Sequence, residues 1–309
     1  MTTLLYSHPI CIEHDPGRGH PECPDRLRSV MAGFEDDDFA ALERREAPEI
    51  DLKEVEQVHM PYYVEQVFKN MPTEGRVYLD PDTSMSPASG KASRRAAGAV
   101  CDAIDQVMKG DADNAFCAVR PPGHHAESSK AMGFCIFNSI AIGAMHGRAR
   151  HGLERVAVID FDVHHGNGTQ HTFEHDPGLF YGSSHQWPAY PGTGAEDETG
   201  EFGNIFNVPM APGEGSKAFR KGYEKRILPA LRAFNPDLLL ISAGFDGHTR
   251  DPLAQINLET EDYDWITREL LSVADECCAG KVVSLLEGGY NLEALRESVQ
   301  AHVRVLMAD

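Results

Sequence analysis

Between positions 160 and 168 the chain reads Asp160-Phe161-Asp162-Val163-His164-His165-Gly166-Asn167-Gly168. In an extended segment residues two apart point the same way. Asp160, Asp162 and His164 therefore share one side, and Phe161 and Val163 take the other. Two carboxylates crowded at a buried strand end repel each other, and a cation removes that cost. Asp162 and His164 are good zinc ligands, and Asp246 in Gly244-Phe245-Asp246 is a candidate for a third. Two carboxylates and one neutral imidazole balance Zn²⁺. Three protein ligands leave a fourth position for water, which marks a catalytic rather than a structural site. The plainer alternative is a carboxylate cluster held only by backbone amides; Asp246 and a histidine pair upstream weigh against it.

That pair is His124-His125, behind Arg120-Pro121-Pro122-Gly123. One imidazole can serve as a general base near neutral pH while the other tunes it. A carboxylate or amide fixes each tautomer, and Asp160 and Asn167 are the candidates. A surface histidine cluster or a metal-binding pair is the competing reading. Tyr290, in Glu287-Gly288-Gly289-Tyr290-Asn291, follows glycines that let the backbone turn tightly and bring a phenol into a cleft. Its hydroxyl can donate to a developing oxyanion; taken alone, a packed tyrosine at a helix start explains it as well.

Other patterns exclude chemistry. Gly166-Asn167-Gly168 and Pro191-Gly192-Thr193-Gly194 lack both phosphate-binding spacings and read as turns lining a cleft. Ser183 and Ser184 are not framed as G-x-S-x-G, which disfavours a serine hydrolase.

These residues need elements to hold them. Apolar runs of strand length occupy 114–119, 155–161, 178–183, 238–243 and 281–286. They are apolar on both parities, as strands covered on both faces of a parallel sheet are. Helical spacing marks 91–108, 216–234 and 261–278. Alternating strands and helices predict an α/β fold, one domain over 1–309, with helices on both faces of the sheet. Ligands of such sheets bind beyond the C-terminal strand ends, and four of the predicted strand ends deliver the titratable residues named above.

Composition narrows the partners. The 309 residues carry 28 Lys and Arg against 48 Asp and Glu, a formal net charge of −20. So acidic a chain repels a phosphate backbone, which argues against nucleic acid and leaves room for a cationic substrate. Glu35-Asp36-Asp37-Asp38 reads as a solvated loop. Mean hydropathy is −0.37, and no apolar run reaches the ~20 residues of a bilayer span. The start, MTTLLYSHPICIEHD, has no basic segment followed by a long apolar one, so no secretory signal is expected. Seven cysteines without C-x-x-C point to reduced thiols, several in the core, and to a cytoplasmic protein.

Together, His20-Pro21-Glu22-Cys23-Pro24-Asp25-Arg26, the Arg120–Ala126 run, Gly133-Phe134-Cys135, the Asp160–Gln170 run, Ala243-Gly244-Phe245-Asp246 and Glu287–Asn291 resemble the zinc-dependent histone deacetylases. The likeness is to the bacterial class II-like members, also called histone deacetylase-like or acetylpolyamine amidohydrolases. It covers most of the chain in family order. The resemblance implies an arginase–deacetylase fold with an eight-stranded parallel sheet. It implies zinc on Asp162, His164 and Asp246, His125 as general base paired with Asn167, His124 paired with Asp160, and Tyr290 polarising the acetyl carbonyl. Phe134 and Tyr190 would wall an acyl-lysine tunnel, with Gly133, Leu253 and Gly288 also on the substrate side. A structural potassium would use Asp160, the carbonyls of Asp162 and His164, and Ser183 with Ser184. Asn167 stands where class I members have Asp, and Tyr190 where Phe is common. Leu253 follows Asp251-Pro252, where polyamine-selective vertebrate members carry a Glu, which weakens a dedicated polyamine reading.

The expected activity is removal of acetyl groups from N-acetylated amines, with an acetyl-lysine peptide or protein first and an acetylated small amine second. A ureohydrolase with two manganese ions would want further carboxylates beside Asp246. A non-catalytic reader has no use for a second histidine or for Tyr290. The oligomeric state, a homo-oligomer included, and Zn²⁺ against Fe²⁺ stay open.

Overall fold

The computed structural model describes residues 1–308. Ten strands form: β1 (Thr3–Ser7), β2 (Glu43–Glu46), β3 (Val77–Asp80), β4 (Thr83–Met85), β5 (Asn114–Cys117), β6 (Val156–Asp160), β7 (Leu179–Gln186), β8 (Ile205–Met210), β9 (Leu238–Ala243) and β10 (Val282–Leu286). Strands β3 and β4 make a small antiparallel hairpin; the other eight form one sheet in the order β2-β1-β5-β10-β9-β6-β7-β8. Every pairing in that sheet is parallel.

Strands β5, β6, β9 and β10 are buried at every residue. Their side chains meet helices instead of water, as a parallel sheet requires. Helices Ser89–Lys109 and Ser139–His151 pack on one another and on the central strands. Thr260–Cys278 and Leu292–Leu306 make a second packed pair, and Pro24–Gly33 lies against the latter. A reciprocal cap between Glu259 and Asp262 starts Thr260–Cys278.

The five predicted strands are all present, and β9 has the expected bounds. Strands β1, β2 and β8 complete the sheet. Strand β2 reads Glu-Arg-Arg-Glu and is exposed throughout, so it carries no apolar signal; β8 contains Pro209, which an edge strand tolerates. The helix expected over 216–234 is helical in three pieces, with one wide turn at Tyr223–Ile227 between Ser216–Gly222 and Leu228–Phe234. Pro229 cannot donate to the carbonyl four residues before it, and widening the turn accommodates that. All seven cysteines are free. Among the described residues no helix is long and apolar enough to cross a membrane.

The sheet order explains the site. Strands β5, β10, β9 and β6 are neighbours, and in register Asp160 stands beside Ser242 and Leu286 beside Ala243. The four loops that follow these strands therefore open at one place.

Candidate active site

Asp162, His164 and Asp246 each offer one donor atom, and the three atoms lie within 4.8 Å of one another. His164 Nδ1 is 3.0 Å from Asp246 Oδ2 and 3.3 Å from Asp162 Oδ1. Both carboxylates are fully buried, whereas the His164 side chain keeps 14% of its surface. Backbone amides hold the carboxylates in place: Gly288 N–H donates to Asp162 Oδ2 at 2.8 Å and Val163 N–H to Asp246 Oδ1 at 2.9 Å. A Cβ at Gly244 would run into Asp162, and one at Gly288 into both carboxylates.

The donor chemistry suits a divalent cation. Burial alone would lower His164, yet hydrogen bonds to Asp162 and Asp246 lift it to about 10. Burial, then the charge of Asp162, raises Asp246 to about 7. Both shifts reflect an excess of buried negative charge that a bound cation would offset. Two oxygens and one nitrogen with one side open is the pattern of a catalytic metal site.

The histidine pair stands above this group. His124 Nδ1 meets Asp160 Oδ2 at 2.9 Å, and His125 Nδ1 meets Asn167 Oδ1 at 2.8 Å. The two ring centroids are 4.0 Å apart. Burial lowers His124, but Asp160, Asp162 and Glu287 overcome it and lift the group to about 10. Burial, then the neighbouring His124 and His164, holds His125 well below its ordinary value. The surroundings thus favour charge on His124 and disfavour it on His125. Asn167 is not in a turn as expected; it is the first residue of the helix Asn167–Phe173.

Tyr290 arrives on a strapped loop. Asp251 Oδ2 accepts from Tyr290 N–H at 2.6 Å and from Asn291 N–H at 3.2 Å. The Arg26 guanidinium lies 4.9 Å from the Tyr290 ring centre and donates to the Gly289 and Glu287 carbonyls. Burial pushes the Tyr290 hydroxyl well above its ordinary value, so it stays a donor.

A cavity of about 210 Å³ reaches these groups, lined by Asp82, His125, Gly133, Phe134, His164, Tyr190, Leu253 and Tyr290. Gly133 and Phe134 both have positive φ, +57° and +68°, and this turn carries the Phe134 ring to 5.8 Å from that of Tyr290. Tyr190 closes on the other side, 5.2 Å from His125 between ring centres. Leu253 is half-exposed at the rim. Gly288 departs from its expected place: it does not line the cavity, and its N–H and lack of a side chain serve Asp162 from behind.

Of the residues that the resemblance offers to potassium, Asp160, Ser183 and Ser184 lie on the adjacent strands β6 and β7. Asp160 pairs with Ser183 in the β6–β7 register. The Tyr223 hydroxyl stands 3.2 Å from Ser184 Oγ and 3.5 Å from the Asp160 carbonyl, while Ser183 Oγ is engaged by His185 Nδ1 at 2.9 Å. Sequence reasoning assigned no role to Asp82, Glu127, Tyr181, Asp251 or Glu287. Tyr181 donates to Asp160, and Glu287 accepts from Gly123 and His124 N–H. Such contacts leave no periodic trace, although Glu287 did stand inside a quoted motif.

Comparisons with known proteins find relatives along almost the whole chain. The histone deacetylase domain model matches residues 20–306. An uncharacterized protein of Synechocystis is 39% identical over 99% of this chain and 100% of its own length. The histone deacetylase-like amidohydrolase of Pseudomonas aeruginosa is 38% identical over 88% of this chain and 73% of that protein. The crystal structure of the HDA15 HD domain superimposes with a TM-score of 0.93 at 36% identity, covering 99% of this chain and 88% of that one.

Proposed function

For a chain that belongs to the histone deacetylase domain family, we propose hydrolysis of the acetyl amide of N-acetylated amines, acetyl-lysine side chains first. One observation carries the reading: His125, His164 and Tyr290, from three different strand ends, line a single cavity between Phe134 and Tyr190. Aromatic walls suit a chain of methylenes, and a narrow cavity rejects bulk.

Asp162, His164 and Asp246 would hold zinc, which when bound polarises a carbonyl and lowers the pKa of water beside it. The remaining work falls to the chain's own groups. Neutral His125, its Nδ1 engaged by Asn167, takes a proton from the attacking water and returns it to the leaving nitrogen. The Tyr290 hydroxyl donates to the carbonyl oxygen as negative charge develops there. Asp160 and His124 keep a fixed charge pair beside that reaction.

Acetylated polyamines are the second reading, because the Asp82 carboxylate lines the same cavity and attracts a cationic amine. Against it, the rim carries apolar Leu253. Acetate release from zinc-loaded protein, on an acetyl-lysine peptide beside N-acetylated putrescine and spermidine, tests both. Peptide turnover blocked by a hydroxamate is the expected result. Turnover of the polyamines alone would move the function to them, and silence on all three would remove the acetyl reading.

A further inference from the structure

His125 is aimed by Asn167, and an amide can be turned over. Its two ends have nearly the same shape, so Oδ1 faces His125 only if something claims the amino end. Glu127 claims it. Asn167 Nδ2 donates to Glu127 Oε1 and, at 3.3 Å, to the His125 carbonyl; of the two the carboxylate is charged, only accepts, and makes the stronger claim. Glu127 is in turn bound by His171, whose Nδ1 lies 2.8 and 2.7 Å from the two carboxylate oxygens. His171 is nearly half exposed and Glu127 about a fifth, so this chain of contacts runs from the buried base to the protein surface.

We propose that Glu127, tethered by His171, is a positioning residue that sets the orientation of Asn167 and thereby the tautomer of His125. The inference rests on the reading of His125 as general base. With Oδ1 toward the ring, Nδ1 carries the hydrogen and Nε2 keeps its lone pair for the proton of water. A turned amide would present N–H to Nδ1. The ring would then have to carry its hydrogen on Nε2, the atom that must accept one. A carboxylate at 167 would have no such orientation to lose, but beside Glu127 it would set two negative charges in contact. Positions 127 and 167 are therefore a matched pair: an acid suits an amide, and a neutral residue at 127 suits an acid at 167.

The pairing makes an unusual demand on variants. Glu127→Ala should lower kcat by ~10-fold or more while KM stays within about twofold and zinc content stays that of the parent. Asn167→Asp alone should also lower kcat. The double variant Glu127→Ala/Asn167→Asp should exceed either single, because the orientation no longer matters and the repulsion is gone. His171→Ala should act in the direction of Glu127→Ala with a smaller loss. Full kcat in Glu127→Ala, or a double variant no better than the singles, would overturn the proposal.

A second readout needs no substrate. ¹⁵N NMR of histidine-labelled, zinc-loaded protein should show His125 protonated at Nδ1 in the parent and the double variant. In Glu127→Ala it should show an added Nε2–H population; a parent-like ratio there would overturn the inference whatever the enzyme hydrolyses. If Glu127→Ala fails to fold, Glu127→Gln, which can turn either end toward Asn167, must show the same redistribution.

Discussion

Two buried groups of charges flank the loop that carries Tyr290, and they follow opposite plans. On one side, Glu22 is completely buried against two arginines and a histidine. Arg120 Nη2 reaches Glu22 Oε2 at 2.8 Å, Arg26 Nη1 reaches Oε1 at 2.9 Å, and His14 Nε2 lies 3.3 Å from Oε2. The spare donors of Arg120 go to the carbonyls of Cys11 and His14, and those of Arg26 to the Tyr290 loop. The one carboxylate is outnumbered by its cationic partners, and the chain's own carbonyls take up their remaining donors. On the other side, Asp162 and Asp246 share one histidine, with Asp160 and Glu287 close behind, and acids outnumber bases. A closed cluster fastens segments distant in sequence. An open one leaves buried negative charge for a cation or protons to offset, which is why the proposed chemistry is set there.

Substitutions should separate the two plans, and the largest effect belongs to the open cluster. Asp246→Asn should abolish tight divalent-metal binding and cut acetate release by more than ~100-fold, beyond the loss of an outer partner. Its metal-free form should nonetheless melt no lower than the metal-free parent, since one of two crowded carboxylates has been neutralised; metal analysis and calorimetry check both. Arg120→Leu should do the reverse. It leaves Glu22 with less compensation, so urea unfolding should show a loss of ~3–5 kcal/mol. A small loss there would mean that Arg26 alone balances Glu22.

Tyr290→Phe probes the loop between the clusters. Turnover should fall by about 100- to 1,000-fold, the cost of one oxyanion donor, with zinc content and unfolding midpoint unchanged. The smallest effect is in acid. Arg120, His14 and Arg26 hold Glu22 well below its ordinary value against the opposing effect of burial. Its contribution to stability is complete above the unfolded-state value near pH 4.5 and drains away as pH falls through the lower folded-state value. Glu22→Gln should flatten that part of a stability-against-pH curve, read by denaturant titration, and leave the slope above about pH 5 untouched.

How legible these features were in the sequence follows the same division. The open cluster announced itself: Asp160, Asp162 and His164 alternate along one strand end, and titratable residues after β5, β6, β9 and β10 are costly unless used. The closed cluster did so only in part: Glu22 and Arg26 stand four residues apart in one quoted run, but Arg120 is 98 residues away and only the fold brings its charge to theirs. Strands covered on both faces were readable as apolar runs, whereas β2, exposed at every residue, was not. Glu127 and Asp251 are tied in by hydrogen bonds from an amide, an imidazole and backbone N–H groups, which impose no spacing on the sequence. Gly288 shows the converse: its motif was visible, but only the packed backbone tells that it faces the carboxylates from behind.

The adjacency of β5, β10, β9 and β6 has a consequence for how this protein fails on heating. The groups proposed to react follow four neighbouring strands whose every residue is buried, so they belong to one cooperative unit and not to segments that open on their own. Thermal inactivation and global melting are then a single event, and activity should persist up to the temperature at which the sheet itself comes apart.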